Sequence, residues 1–247
     1  MDLSVVQPLD LTGVLGSARL RPRVAKIGVE LEGAWTTLAE GAHLQRDGSV
    51  FKNRGPGAQF PHIGEQAVGP VTPSQIEPLL HQFYPHKVDK TCGMHVHMSF
   101  STLWHYKLLM VPEYQETIVH YLKLWAKAKR YRADHHIWER LEGNSEYCRK
   151  GFWPHLQSTT REKDYDHERE GHRYTIIHYC GRLLTVECRV LPMMVNAALA
   201  MEAIKHVVDI TNACLHVLGK GAKKPEPVNG RIELPGGHSY EEHIEYL

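Results

Sequence analysis

The chain has 247 residues, 42% of them hydrophobic, which suffices for one large domain or two small ones. Its 29 Lys and Arg nearly cancel its 28 Asp and Glu, so no global field draws it to nucleic acid or to an anionic membrane. The five cysteines (Cys92, Cys148, Cys180, Cys188, Cys214) contain no C-x-x-C pair, so neither a disulfide framework nor a cysteine-based zinc site is indicated, which fits a reducing cytoplasm.

No apolar run approaches the ~20 residues that span a bilayer, and the start lacks a basic-then-apolar signal pattern, so neither membrane nor export is expected. Residues 1–22 are interrupted by Pro8, Gly13, Gly16 and Pro22 and read as an N-terminal arm or peripheral hairpin. Val24–Gly33 is the first clear strand, with Ile27, Val29 and Leu31 on one face and Glu30 and Glu32 on the other. Two like charges on one face repel, so this is either an exposed edge strand or a strand whose carboxylates share a cation. Leu44–Phe51 contains Asp47-Gly48, a hairpin-turn dipeptide, and the Gly- and Pro-rich stretch 52–61 reads as a loop. His62–Val68 is a short strand carrying Glu65, and Ser74–Tyr84 has helical spacing through Ile76, Leu79, Leu80 and Phe83.

Cys92-Gly93-Met94-His95-Val96-His97-Met98-Ser99-Phe100 alternates as a half-buried strand, with His95, His97 and Ser99 opposite Met94, Val96, Met98 and Phe100. With 18 histidines in the chain, a His-x-His pair alone carries little weight. Pro112 opens a long helix to about Arg130. Asp164–His172 is densely charged and reads as a surface loop, with His167 and His172 solvated. Arg173–Cys180 and Leu183–Leu191 form two strands, the second setting Thr185, Glu187 and Arg189 opposite Val186, Cys188 and Val190. Met193–Leu218 is a long apolar helix, and 220–247 is a linker and tail. Strands with long helices between and after them predict an α+β fold: a sheet with helices on one face and a polar site on the other.

If the apolar strand faces pack on one helical layer, Glu30, Glu32, Glu187, His95 and His97 fall on one open side, with Glu65 beside them. So many carboxylates together call for divalent cations, and hard oxygen donors favour Mg²⁺ or Mn²⁺ over zinc. Arg189 suits a phosphate, gripped bidentately. These parts imply a nucleotide triphosphate site without a G-x-x-x-x-G-K-[ST] loop.

At this point the sequence resembles the glutamine synthetase-like carboxylate–amine ligases, and most closely their small amidoligase branch. The resemblance rests on Gly28-Val29-Glu30-Leu31-Glu32, Asp47-Gly48-Ser49, Gly64-Glu65, the Cys92–Ser99 run, Asn144–Cys148, Arg173-Tyr174 and Thr185-Val186-Glu187-Cys188-Arg189, in family order. It implies a catalytic domain over 23–219, a curved antiparallel or mixed sheet with helices on one face and the active site on the other. It further implies Mg²⁺ (or Mn²⁺) ligation by Glu30, Glu65, His95 and Glu187, with Glu32 as a ligand or support. His97, Ser99 and Arg173 would face ATP, and Arg189 its transferred phosphoryl. Asp47 would take the amine's proton. The Glu65 stretch is a loose match to the family's usual Glu-x-x-Ser-Pro. The small N-terminal domain that completes shared sites in true glutamine synthetases has no room here, although a homo-oligomer fits the resemblance. The expected partners are a small-molecule or peptide carboxylate and an amine, joined through an acyl phosphate with release of ADP. Three rivals stand beside this reading: a His-x-His zinc or iron enzyme, a guanidino-kinase-like phosphotransferase, and a non-catalytic relative.

Overall fold

The computed structural model describes residues 5–18, 20–52, 55–145, 148–151, 174–180, 184–220 and 222. The expected charged loop 164–172 with His167 and His172, Arg173, the Gly181-Arg182 join and nearly all of the tail lie outside them.

Strands β1 (Val24–Trp35), β2 (Leu44–Gln45), β3 (His62–Val71), β4 (Gly93–Phe100), β7 (Ile177–Cys180) and β8 (Thr185–Pro192) form a six-stranded sheet in the order β2-β3-β1-β4-β8-β7, and every pairing is antiparallel. A two-stranded ribbon, β5 (Asn144–Ser145) with β6 (Cys148–Arg149), forms a separate ladder that Arg149 bridges to Thr175, just ahead of β7. The helices are α1 (Ile76–Phe83), α2 (Leu103–Leu108), α3 (Pro112–Ala128), α4 (Ile137–Glu142) and α5 (Ala197–Leu218). The chain is thus a mixed α+β protein built on an antiparallel sheet. None of the helices among the described residues is long and apolar enough to cross a membrane.

Alternation decides the layering. Ile27, Val29, Leu31, Met94, Val96, Met98, Val186, Cys188 and Val190 enter one contiguous core with Ile118 and Leu122 of α3 and Ala203, Ile204 and Val207 of α5. The long apolar helix begins later than its composition suggests. Asn196 caps it by accepting the Leu199 amide at 2.9 Å, which leaves Met193 and Met194 as buried non-helical chain ahead of it. Asn212, inside the same helix, accepts the amides of Arg23 (2.6 Å) and Val24 (3.0 Å) and so fixes where β1 starts.

Three expectations are corrected. The edge-strand reading of β1 fails, because β1 is flanked by β3 and β4 and its two glutamates lie in the middle of the sheet. Asp47-Gly48 does not turn a two-residue hairpin. β2 pairs with β3 far along the chain, and Asp47 Oδ1 instead accepts the amide and hydroxyl of Ser49, both at 2.7 Å, at the start of the connecting loop. The N-terminal arm makes no hairpin among its described residues; it docks on α3, where Thr117 Oγ1 accepts the Leu9 amide at 2.7 Å and Tyr121 Oη accepts that of Leu11 at 3.0 Å.

Candidate metal centre

Antiparallel register carries side chains from four strands onto one face. Glu30 lies opposite His95, Glu32 opposite Glu65, and His97 opposite Glu187. Glu187 in turn faces His178, so Gly28, His97, Glu187 and His178 form one row across β1, β4, β8 and β7. Cross-strand partners point the same way, so these polar groups are forced together while their neighbours fill the core.

The two imidazoles hold opposite ends of one carboxylate. His95 Nδ1 is 2.9 Å from Glu30 Oε2, and His97 Nε2 is 2.9 Å from Glu30 Oε1. His95 also reaches Glu187 Oε1 at 3.5 Å through Nδ1 and Glu32 Oε1 at 3.6 Å through Nε2. Arg189 Nη1 donates to Glu187 Oε1, and the Gly93 amide donates to Glu32 Oε2. Two oxygen-rich ligand sets are close enough to hold a metal ion, Glu30–His95–Glu187 and Glu32–Glu65–His95. They share His95.

The electrostatics divide the carboxylates. Burial alone raises Glu30, but hydrogen bonds from His95 and His97 outweigh it and hold Glu30 at about 2. Glu187, likewise penalised by burial, is held well below the carboxylate range by Arg189 and His97. Burial opposes the charged form of His97, but Glu187, a hydrogen bond with Cys180 and Glu30 push it well above its ordinary value. Glu65 gains no comparable relief among the described residues. Burial, followed by repulsion from Glu30, Glu32, Asp47 and Glu187, pushes it up to about 8. Four converging glutamates are therefore only partly neutralised by the protein's own cations, which is the chemistry of a cation site.

The face is less open than its composition predicts. Glu32, His95, Glu187 and Arg189 are buried, while Glu30 retains 26% side-chain exposure and His97 17%. One closing group is Arg140 of α4, which is 3% exposed and which sequence reasoning does not single out. It donates through Nη1 to the carbonyls of Arg189 (3.3 Å) and Leu191 (3.4 Å). A Cβ on Gly93 would stand 2.9 Å from Arg140 Nη1 and 3.0 Å from His95 Nε2, so only glycine lets this guanidinium and imidazole approach the β4 backbone together. No spacing signal links Arg140 to the strand motifs. His178 was also missed, although its parity with Cys180 was readable once the register with Glu187 was known.

The remaining expected residues fall as follows. Asp47 is close enough to raise Glu65. Ser99 lies on the polar face of β4 but turns its hydroxyl to the Lys26 carbonyl at 3.5 Å, away from the Glu30 cluster. The Tyr174 ring lies 5.9 Å from the Arg189 guanidinium carbon. Arg189 itself keeps a buried Nε–H with no hydrogen-bond partner among the described residues. Cys180, for which no metal role is indicated by spacing, stands with His97 and Glu187 in a third ligand set.

Compared with family models and with curated proteins, the chain matches none. What fold and site define is an antiparallel α+β protein with a buried, carboxylate-rich group of potential metal ligands on its sheet.

Proposed function

We propose that this protein is a metal-dependent enzyme acting on a phosphorylated ligand. More particularly, we propose an ATP-dependent carboxylate–amine ligase with a glutamine synthetase-like catalytic domain, of the small amidoligase kind. One observation supports this above the others: Glu30, Glu32, Glu65 and Glu187 meet His95 and His97 beside an arginine whose buried Nε–H is uncommitted among the described residues. An orphaned guanidinium donor beside a cation site fits an anion that a metal also holds, and phosphate is such an anion.

Glu30, Glu32, Glu65, His95 and Glu187 would hold Mg²⁺ or Mn²⁺, which supply charge neutralisation for the phosphoryl group in transfer. Arg189, held at Nη1 by Glu187, would turn its remaining donors to the oxygens that gain charge as the γ-phosphoryl moves from ATP to a substrate carboxylate. That transfer solves the chemical difficulty of the reaction. A carboxylate resists an amine because its oxygen is a poor leaving group, and phosphate on an acyl phosphate leaves readily. The amine attacks only when neutral, and Asp47, at the β2–β3 end of the acidic row, is the proposed acceptor of its proton. His97 would face the nucleotide, as would Ser99 once its hydroxyl leaves the Lys26 carbonyl, and Arg173 is proposed there as well.

A screen for ADP release from ATP with Mg²⁺, across paired amino acids, polyamines and peptides, tests the reading. ADP and phosphate are the expected products with an amide. AMP as the stoichiometric product would overturn the acyl-phosphate route, because an adenylate route breaks the α–β linkage.

A further inference from the structure

We infer that the same sheet face carries a second, chemically different metal site, a zinc-type site built from Cys180, His178, His97 and Glu187. The row His97–Glu187–His178 crosses three adjacent strands, and Cys180 follows His178 by two residues on the same face. Cys180 Sγ lies 3.3 Å from His178 Nδ1 and 3.7 Å from Glu187 Oε2, and Cys180, His97 and Glu187 each bring one ligand atom within 4.8 Å of the others. A tetrahedron with Zn–S near 2.3 Å and Zn–N near 2.1 Å has edges of roughly 3.3–3.7 Å, so the thiol distances already match. The His178 Nδ1 to Glu187 Oε2 hydrogen bond, at 2.8 Å, must open by a few tenths of an ångström.

Glu187 is shared between the two sites through its two oxygens. Its Oε1 faces His95 at 3.5 Å and His97 Nε2 at 3.8 Å and receives Arg189 Nη1, whereas its Oε2 faces His178 and Cys180. The soft site would draw on Oε2, which already faces two of its ligands, while Arg189 holds Oε1. The donors differ in kind as well. The Glu30 and Glu32 sets are dominated by hard oxygen, while one thiol and two imidazoles select zinc over Mg²⁺. His97 and His178, with 17% and 18% side-chain exposure, leave a way in from solvent.

Zinc here would take His97 from Glu30 and reposition Glu187, a ligand proposed for the Mg²⁺ set. The consequence, inhibition of ATP turnover by zinc, rests on the ligase reading; zinc binding itself does not.

The test titrates the full-length, metal-free protein with Co²⁺ and follows the thiolate-to-cobalt charge-transfer band. One equivalent should produce the band, and one equivalent of Zn²⁺ should remove it. The band should vanish in Cys180→Ser and persist in Cys214→Ala, and the zinc dissociation constant should rise in Cys180→Ser by no less than the roughly 10–100-fold that loss of an outer-shell partner costs. Mn²⁺ binding to the carboxylate sets, read by electron paramagnetic resonance, should survive Cys180→Ser and shows that the variant is folded. A wild-type cobalt spectrum without the thiolate band, or a band that survives Cys180→Ser, overturns the site. Should that variant fail to fold, alkylation of the wild-type chain decides: zinc must protect Cys180, and equal labelling with and without zinc overturns the site. A protein with no ATP turnover but an intact cobalt band would defeat the ligase reading and leave this one standing.

Discussion

At the scale of single residues, Arg189 and Glu65 are the two side chains whose environments make the sharpest demands. Arg189 has one nitrogen committed to Glu187 and another without a partner among the described residues, so its planar fork matters more than its charge. Arg189→Lys should leave Mn²⁺ binding intact and lower kcat for ATP turnover by about 10²–10³-fold, or ~2.7–4 kcal/mol, with little change in KM. Steady-state kinetics alongside Mn²⁺ titration checks both halves. Glu65 makes a pH prediction. Its carboxyl, ordinarily near 4.5, stays protonated to about 8 in the folded chain because of burial and four neighbouring carboxylates. Between those values the folded state binds the extra proton, so the stability this group contributes is complete below about pH 4.5 and lost as pH rises through about 8. Urea unfolding of the metal-free protein should show a steeper loss of stability over that window in wild type than in Glu65→Gln.

At the scale of elements, the join between β1 and α5 holds the two glutamates of β1 in place. Asn212 is 5% exposed, and its Oδ1 accepts two backbone amides, those of Arg23 and Val24. Asn212→Leu leaves both donors without that acceptor at the start of a central strand, at a cost of about 1–3 kcal/mol for each that stays buried and unsatisfied. A lowered midpoint in urea with an unchanged m-value is the expected result. The β1–β4–β8 register is the other element-scale constraint. A one-residue slip of β4 would send His95 and His97 into the core and Val96 into the acidic row, so burial of Met94, Val96 and Met98 selects the register that assembles the site.

At the scale of the whole molecule, stability and cation binding are linked, because a cation that binds only the folded chain removes the repulsion stored among the four glutamates. Mn²⁺ at 100 times its dissociation constant should stabilise the fold by ~2.7 kcal/mol. The rise in Tm at a fixed Mn²⁺ concentration should be larger at pH 8 than at pH 6, since Glu65 must release its proton to bind a metal. Scanning calorimetry at the two pH values measures this. An equal rise at both would exclude Glu65 from the cation's ligands.

Much of this architecture was legible in one dimension. Strand alternation alone divides Ile27, Val29 and Leu31 from Glu30 and Glu32, and Met94, Val96 and Met98 from His95 and His97, because a period of two is a local property of the backbone. The long helices announce themselves similarly, through Pro112 at the start of α3 and the Ala-, Val- and Ile-rich composition of α5. Strand order is not local. That β1 is central rather than an edge, and that β2 seeks β3 across a long loop rather than folding back at Asp47-Gly48, depends on which apolar faces share one core. Arg140 and His178 escaped for the same reason. Each enters the site through partners distant in sequence, Arg140 through carbonyls of β8 and the bare backbone of Gly93, His178 through the rung it shares with Glu187. Local periodicity sets which way a side chain points, whereas its neighbours across the sheet are chosen by the packing of the whole chain.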